Sequence, residues 1–423
     1  MKIEIILHNY ILIYFVINCY MTLTFKKEIP NDLNSNNFLD FLLENEYYSN
    51  IKVGTPYQEI PMKIKFSINY FMIISIDQKG LFNEKKSKSY HEVEKGLIID
   101  YISEYFDRGI ISWDHIIFDN KIEAFNLTFI LGKNITKKVK GGIIGLKITL
   151  QKTFHDTTNF LYLLKKRKMI DSYCFLYQYN KNDNSGVIII GNLPHEYDNN
   201  TYDKEFFKSV KVDKSFRYIN WKIKFDEIKY GDINLNYDLN IVFNCDLGGI
   251  IGSEDAFNEI KKNFFDKYIK SNLCEIIYDK KKWYMGFYCD KNIKLEDFYN
   301  LTFKSKEFNY TFVLNYNDLF LEINNKIYFL MFFRKDTTEF FWIFGEPFFK
   351  KYQIIFDEEK GIIGFYTSKK KKPSNKSIIY FIVLFIIIFI LIGIIIKMII
   401  NKPRKLRANE LEDQYEYLQK INN

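Results

Sequence analysis

The 423-residue sequence has few of the residues that hold metals or carry redox chemistry. It contains only five cysteines and five histidines, and none of them form the closely spaced pairs that ligate zinc. It also has no glycine-rich loop of the kind that cradles phosphate groups. We therefore expect no metal site and no cofactor.

The sequence also lacks a region of one charge sign in its main body. The net charge is +8, but lysines and acidic residues are interleaved. A nucleic-acid-binding protein would be expected to carry a basic stripe on one face, so we expect no nucleic-acid partner. Apolar residues make up 47% and charged residues 26% of the chain, which is typical of a globular protein. The length is enough for about two domains or lobes.

Two long apolar runs lie near the ends of the sequence. Residues 1–23 begin with Met1-Lys2 and continue as an apolar run, which predicts a signal peptide, with a signal anchor as the alternative. Residues 378–396 carry no charge, and this run is long enough for one membrane-spanning helix of about 20 residues. We predict that helix at 378–400, between a basic linker at 368–377 and a tail at 401–423.

Basic residues flank the apolar run on both sides, so the positive-inside rule decides little about its orientation. A cleaved signal peptide would place the main body in a lumen or outside the cell and the short tail in the cytosol. The sequence thus predicts a single-pass type I membrane protein of the secretory or endolysosomal system or of the cell surface. Its contact with the membrane would be through residues 378–400.

The cysteines agree with a location in such a compartment. Cys274 and Cys289 are close in sequence and could form a disulfide in an oxidising lumen. Cys174 and Cys245 are expected to be buried free thiols, and Cys19 would be removed with the signal peptide.

Five Asn-x-Ser/Thr sequons also agree with secretion, although an Asn-rich chain forms such sequons by chance. Their asparagines are candidate glycosylation sites: Asn126, Asn134, Asn199, Asn300 and Asn309.

Most of residues 46–367 has the pattern of β-strands. Between residues 62 and 69, apolar and polar residues alternate with a period of two, which predicts that Lys65 lies on the open side of a strand. Short apolar runs at 186–191 and 326–333 predict two further strands. Helical signals are few and lie at about 160–168 and 255–269. Many short strands with few helices predict an all-β architecture.

Several segments resemble landmarks of pepsin-like aspartic peptidases, in family order and over most of residues 46–367. The most specific are EYYSNIKVGTPYQEI at 46–60, GIIGL at 142–146, FWIFGEPFFKKYQIIFD at 341–357 and KGIIGF at 360–365. Segments 82–90 and 109–114 resemble the surroundings of the flap hairpin, where Tyr101 takes the place of the flap tyrosine. The sequence is thus identified as a member of the eukaryotic aspartyl protease family.

The resemblance implies an all-β, bilobal, pepsin-like acid protease fold, to which a C-terminal transmembrane helix would be added. A peptide-binding cleft would lie between the lobes under a flap, and each lobe would contribute one catalytic Asp. On this basis the N-terminal lobe spans 46–193 and the C-terminal lobe 194–367. Residues 24–45 would be a short pro or linker segment.

The two catalytic positions are altered. Seven residues after Gln58, where the family has its first Asp, this sequence has Lys65. At the second position, an ungapped alignment puts Asn244 in place of Asp and Cys245 in place of Thr, whereas a gapped one keeps Asp246 in an Asp-x-Gly pattern. Peptide hydrolysis in this family needs two carboxylates that share a proton. Either alignment leaves at most one.

The resemblance also implies hydrogen bonds across the lobes from one threonine of each motif, which Phe66 and Cys245 cannot make in the same way. The sequence therefore predicts a membrane-anchored homologue without proteolytic activity, whose cleft binds a peptide or protein or serves as a scaffold. Two alternatives stay open. One is an active endopeptidase that uses Asp246, and the other is a structural surface protein with a filled cleft.

Overall fold

The computed structural model describes residues 20–30, 33–34, 37–94, 106–119, 122–135, 139–147, 158–180, 184–212, 221–236, 239–279, 283–335, 342–368, 385–397, 415 and 417. The chain divides into two units, Met1–Ser368 and Lys369–Asn423. The first unit contains the strands and the candidate site.

Strands dominate the first unit, as the sequence predicts. In the described part of the chain they are β1 (Met21–Lys27), β2 (Tyr47–Val53), β3 (Gln58–Lys65), β4 (Phe71–Ile74), β5 (His91–Glu94), β6 (Phe106–Phe118), β7 (Ile122–Ile135), β8 (Gly142–Gly145), β9 (Cys174–Tyr179), β10 (Ser185–Ile190), β11 (Phe207–Lys211), β12 (Lys222–Lys224), β13 (Glu227–Tyr230), β14 (Ile233–Asn234), β15 (Asn240–Phe243), β16 (Ile250–Ser253), β17 (Cys274–Asp279), β18 (Tyr284–Asp290), β19 (Leu301–Ser305), β20 (Tyr310–Leu314), β21 (Phe320–Ile323), β22 (Lys326–Phe329), β23 (Met331–Arg334), β24 (Trp342–Phe344), β25 (Ile355–Asp357) and β26 (Ile362–Tyr366).

The helices in the described part of the first unit are short. They are α1 (Phe38–Leu43), α2 (Phe160–Lys166), α3 (Pro194–Tyr197), α4 (Glu254–Ile260), α5 (Asp266–Lys270), α6 (Tyr316–Leu319) and α7 (Glu346–Tyr352), with a π-helical stretch (Lys261–Phe265) between α4 and α5 and 3-10 turns at Ile76–Gln78, Glu84–Lys86, Lys204–Phe206 and Leu295–Asp297. The helices predicted at 160–168 and 255–269 are confirmed as α2 and as α4 to α5. Asn159 and Ser253 cap α2 and α4 by accepting backbone hydrogen bonds through their side chains, which explains where both helices begin.

The largest sheet joins the two halves of the sequence. Its strand order is β11-β26-β25-β9-β10-β1-β2-β3-β8-β4-β7-β6-β5. Strand β1 lies between β10 and β2, with Met21 opposite Ile190 and Lys26 opposite Tyr48. Strand β1 therefore links β2 and the strands beyond it to β10 and β9, and through these to β25 and β26 near the end of the first unit.

The second half has its own sheets. One follows the order β12-β15-β24-β16-β23-β18-β22-β21, with β17 paired to β18, and a smaller one follows β14-β13-β19-β20. The core between the sheets is strongly aromatic. Tyr47, Tyr177, Tyr230 and Trp342 are among its fully buried side chains, so much of the high aromatic content is used for packing.

The strand predicted at 186–191 is confirmed as β10, but the single strand predicted at 326–333 is wrong. That run forms two strands, β22 and β23, because the backbone of Leu330 leaves the ladder between them. Its N–H donates to the carbonyl of Leu319, and its carbonyl accepts from Ile250, at 2.8 Å in both cases.

The predictions for four of the cysteines are confirmed, and the removal of Cys19 with a signal peptide stays a prediction. Cys274 and Cys289 lie opposite each other on the β17–β18 hairpin and form a disulfide. Cys174 and Cys245 are free and buried. Such a disulfide is typical of proteins that fold in an oxidising compartment.

The predicted terminal segments are only partly described. Residues 21–23, the end of the predicted signal peptide, lie in β1, and residues 24–45, predicted as a pro or linker segment, contain the rest of β1 and the whole of α1. Within the predicted membrane span, residues 385–397 are helical. No helix in the described part of the chain is both long and apolar enough to cross a membrane.

Candidate functional site

The first candidate position, Lys65, is the last residue of a strand that fixes its place in the fold. Strand β3 runs parallel to β8, with Ile64 opposite Ile144. After a loop, β4 returns antiparallel to β8 and places Phe71 opposite the same Ile144. Lys65 is therefore the residue with which the chain leaves β3 and enters the first loop.

The second half repeats this arrangement. Strand β15 runs parallel to β24, with Phe243 opposite Phe344, and β16 returns antiparallel with Ile250 opposite the same Phe344. Both loops have the same length, because Phe243 and Ile250 are seven residues apart, like their counterparts in the first half. Asn244 thus holds the position equivalent to Lys65, as in the ungapped alignment. A two-residue deletion is not required.

Lys65 is buried, which corrects the prediction of an open strand face. Its side chain is 5% exposed, and its Nζ lies 2.9 Å from Oε1 of Glu44. The neighbouring Lys63 is also buried and contacts Glu44 at 2.8 Å and Glu46 at 2.9 Å. The pattern of alternation failed here because the polar face of β3 is covered by the chain that precedes it, and acidic residues of that chain neutralise the two lysines.

The paired lysines control the charge of Glu44. Burial by itself raises the pKa of Glu44, but the charge of Lys65 and hydrogen bonds from Lys63 and Lys65 outweigh it and hold that pKa well below its usual range. Burial likewise lowers the pKa of Lys63, but its hydrogen bonds to Glu44 and Glu46 raise it overall. Both partners therefore stay charged at neutral and mildly acidic pH. A carboxylate held in this way cannot share a proton with a second carboxyl group.

Asp246, the remaining acidic candidate, is bound to the loop of the other half. Its carboxylate accepts hydrogen bonds from the backbone N–H groups of Phe66 and Ser67, at 3.0 and 2.9 Å, and from the hydroxyl of Ser67 at 2.6 Å. The backbone N–H of Asp246 itself donates to Oδ1 of Asn244 at 2.9 Å. The cross-lobe contact that two threonines provide by family resemblance is here made by one carboxylate.

Residues 37–45, which we call the cleft segment, lie directly against the second loop. The N–H of Gly248 donates to the carbonyl of Leu42, and the N–H of Asn45 donates to the carbonyl of Asp246, both at 2.7 Å. The side-chain amide of Asn45 donates to the carbonyl of Leu247 at 2.9 Å. A side chain at Gly248 would meet the cleft segment, because a Cβ there would lie 3.1 Å from the carbonyl oxygen of Phe41.

Apolar side chains of α1 fill the space above this loop. The ring of Phe38 stacks on Tyr328 with 4.2 Å between ring centroids. A separate buried cluster forms around this contact. Its core members are Leu33, Phe38, Leu39, Phe41, Leu42, Leu247, Ile251, Ile277, Tyr328 and Phe332. A cavity of about 160 Å³ beside Phe41 is smaller than the roughly 300–1,000 Å³ typical of ligand pockets.

A buried ion pair fixes the cleft segment from its other side. Glu346 begins α7, directly after the glycine that follows β24, and its carboxylate pairs with Lys27 of β1 and with Lys350. Burial raises the pKa of Glu346, but the charges of both lysines hold it below its usual value. Lys27 also lies over the ring of Phe41, 4.5 Å from its centroid. Strand β1, the cleft segment and the second half are thereby joined through one set of contacts.

The remaining predicted residues are the flap tyrosine and the asparagines of the sequons. Tyr101 lies outside the described residues. Four candidate glycosylation residues, Asn126, Asn199, Asn300 and Asn309, are exposed, and the side chain of Asn134 is not described. Their modification stays a prediction.

Cys245 holds the place equivalent to Phe66. It is a buried free thiol, and burial together with the neighbouring Asp246 raises its pKa well above the ordinary thiol value. Thiols react as thiolates, so this arrangement disfavours nucleophilic chemistry at Cys245.

The sequence reasoning missed Glu44, Lys27 and Glu346. The sequence did contain one signal for the first of them. Apolar residues at 38, 39, 41 and 42 have helical spacing and precede Glu44, which is typical of a short amphipathic helix. The ion pair of Lys27 with Glu346 joins residues 319 positions apart, and no local pattern indicates it.

Two β-rich halves with equivalent strand–loop–strand units, joined by one shared sheet, define the class of the pepsin-like acid proteases. The sequence profile of the eukaryotic aspartyl protease family matches residues 46–368, and the chain belongs to this family.

Among curated proteins, the chain is similar to Secreted aspartic protease 7 of Candida albicans, with 24% identity over 188 residues. A sequence of the same name from Candida albicans strain SC5314 is 24% identical over 189 residues. Both matches cover 41% of this chain and 31% of the relative. The chain thus spans about a third of the length of the curated relatives it matches.

Proposed function

We propose that this protein is a pepsin-like aspartic peptidase homologue without proteolytic activity. The observation that carries the proposal is the identity of the two equivalent loop residues, Lys65 and Asn244. An ammonium group and an amide occupy the places from which two carboxylates would activate water. The carboxylate of Glu44, the residue paired with Lys65, is held ionised by two lysines.

The remaining loop carboxylate has a structural role in this proposal. Three donors from Phe66 and Ser67 surround Asp246, so the oxygens of its carboxylate are already engaged in the contact between the two loops. A general base must also reach a water molecule and a substrate. An enzyme built on Asp246 would have to break the contact that joins the two loops.

The domain would act as a scaffold rather than as a receptor for free peptides. The filled space between α1 and the second loop favours a scaffold over a domain with an open peptide-binding cleft. Apolar groups of the cleft segment, including Phe38, Phe41 and Leu42, are buried against the second half, where the resemblance puts the substrate cleft.

We further propose that the domain is anchored to a membrane through residues 378–400, with the β-rich unit in the lumen or outside the cell. Support comes from the uncharged run at 378–396, from the Cys274–Cys289 disulfide and from four exposed sequon asparagines. This arrangement can be tested by protease protection of sealed membrane vesicles, in which only the tail at 401–423 should be digested from the cytosolic side.

The test of the main proposal is a peptidase assay of the purified full chain. A mixed peptide library would be incubated from pH 3 to pH 7 and analysed by mass spectrometry, beside the variants Asp246→Ala and Glu44→Gln. We expect no cleavage by any of the three. Glu44→Gln separates two causes of inactivity, because it loosens the cleft segment without restoring a carboxylate pair. Cleavage that Asp246→Ala abolishes would identify an active peptidase and contradict the proposal.

A further inference from the structure

The cleft segment is fixed at both of its ends by the folded domain. Upstream, β1 forms antiparallel pairs with β10 along most of its length. Downstream, β2 continues into the sheet with β3 and β6. At the end of β1, Lys27 is paired with the buried Glu346. Removal of this part of the chain would leave Glu346 short of one counter-ion and would expose one edge of β10.

Residues 37–45 contact the second half in the way that a bound ligand contacts its site. Apolar side chains from one face of α1 enter the second half, and Asn45 and Leu42 exchange backbone hydrogen bonds with Asp246 and Gly248. Glu44 then presents its carboxylate to Lys65, the residue at the first catalytic position. The site therefore matches a short amphipathic helix that is followed by an acidic residue.

We infer that residues 37–45 are a resident ligand of the cleft and that they stay bound at the pH of acidic compartments as well as at neutral pH. The segment would be a permanent part of the domain and not a cover that acid removes. No free peptide would then gain access to the surface that α1 occupies.

The charged groups around Glu44 explain the expected resistance to acid. Lys63 and Lys65 face it from β3, Glu46 shares Lys63 with it, and the phenol of Tyr48 lies nearby on β2. Burial raises the pKa of Tyr48, and the hydrogen bonds described above raise that of Lys63, so neither of these two groups changes charge between pH 4.5 and pH 7. The lysine pairing depresses the pKa of Glu44, so its contribution is fully present above the pKa of an unfolded Glu. It is lost only as the pH falls through the lower folded value.

The backbone contacts of the segment do not titrate at all. The bonds from Gly248 to Leu42 and from Asn45 to Asp246 join peptide groups, and the Phe38–Tyr328 stack is apolar. Protonation of the surrounding carboxylates therefore does not remove these backbone and apolar contacts.

Hydrogen exchange of the full chain in detergent micelles tests this inference. Amide exchange of residues 38–45 would be followed by mass spectrometry at pH 7.0 and pH 4.5, after correction for the intrinsic pH dependence of exchange. We expect protection factors that agree within about 3-fold between the two pH values. A loss of protection of ~10-fold or more at pH 4.5, with β3 unchanged, would mean local opening of the segment and would overturn the inference.

Two matched variants sharpen the result. Glu44→Gln should reduce the protection of residues 38–45 by ~10-fold or more at pH 7, because Lys65 loses its counter-ion. Glu28→Gln, on the same stretch of chain, removes a half-exposed pair with Lys140 and should change protection by less than ~2-fold. Equal protection in both variants would show that Glu44 does not hold the segment. If Glu44→Gln fails to fold, the comparison of the unaltered chain at the two pH values still decides.

This inference and the proposed function can fail separately. Peptide cleavage that depends on Asp246 would contradict the proposed function. Release of residues 38–45 in acid without any cleavage would contradict only the inference drawn here.

Discussion

The two loops of this protein hold equivalent positions but have opposite electrostatic roles. The first begins with Lys65 and receives a carboxylate, Glu44, from the preceding chain. The second begins with Asn244, which is neutral, and supplies a carboxylate two residues later, at Asp246, to the backbone of the first loop. A symmetric pair of catalytic acids would give both loops the same chemistry. Here one carboxylate neutralises a charge and the other joins the halves.

The same asymmetry is found at the ends of β8 and β24, the parallel strands that lie beside the two loops. In the first half, the glycine at the end of β8 is followed by the buried Leu146, whereas in the second half the glycine after β24 is followed by Glu346. The apolar residue needs only packing, but the acidic one needs Lys27 and Lys350. The second half therefore depends on β1 in a way that the first half does not.

The largest expected effect follows from this dependence. Glu346→Ala would leave the buried Lys27 without its carboxylate, so we expect a loss of about 3–5 kcal/mol in the free energy of unfolding. Leu146→Ala, the substitution at the equivalent position, should cost about 2–5 kcal/mol through loss of packing alone. Urea denaturation of Glu346→Gln, which keeps the volume of the side chain but not its charge, distinguishes the two causes. If Glu346→Gln is as stable as the unaltered protein, the assigned role of Glu346 is wrong.

A somewhat smaller effect is expected at the contact between the loops. Asp246→Ala would leave the N–H groups of Phe66 and Ser67 without their acceptor at a partly buried contact, at a cost of about 2–3 kcal/mol in the free energy of unfolding. The control is Asp119→Ala, because Asp119 also accepts from a backbone N–H and a hydroxyl, those of Thr24, but at an exposed site. That variant should lose less than about 1 kcal/mol. Similar losses in both variants would contradict a special role for Asp246.

The charge pair in the first loop predicts a smaller effect that depends on pH. Glu44→Gln should lower the free energy of unfolding by about 2 kcal/mol at pH 7. Because the folded pKa of Glu44 is depressed, the difference from the unaltered protein should persist down to about pH 4.5 and shrink below it. Denaturant unfolding of both proteins between pH 7 and pH 3 measures this. A difference that grows in acid would contradict the assignment.

The smallest expected effect concerns Cys245, the second residue of the second loop. Burial and Asp246 raise the pKa of Cys245, so its thiol should not react with iodoacetamide in the folded protein at pH 8. It should be alkylated once urea unfolds the chain. Cys174 is also buried with a raised pKa and serves as the internal reference. Rapid alkylation of Cys245 alone in the folded state would mean that the second loop is open.

Much of the fold could be predicted from the sequence because its strands and family motifs depend on local patterns. Apolar runs gave strands such as β10, and residues at 142–146 and 341–357 identified the family and thereby the loop positions. The equivalence of Lys65 and Asn244 follows from the same landmarks. These features need only neighbouring residues or a known order of motifs.

The contacts that decide the chemistry could not be predicted in this way. The burial of Lys65 depends on Glu44, which reaches it from a segment outside the family match. The role of Asp246 depends on Phe66 and Ser67, about 180 residues away in sequence. A period of two indicates which way a side chain points, but it contains no information on what other part of the chain covers that face.

A cleft that holds no pair of catalytic carboxylates and is filled by residues 37–45 should not bind an inhibitor of aspartic peptidases. This can be measured by calorimetric titration of the full chain with a pepstatin-like inhibitor at pH 4.5, because the hydroxyl of such an inhibitor is recognised by two carboxyl groups in an open cleft. We expect no binding by the unaltered protein or by Asp246→Ala. Tight binding by the unaltered protein that is lost in Asp246→Ala would contradict both the absence of a carboxylate pair and the filled cleft.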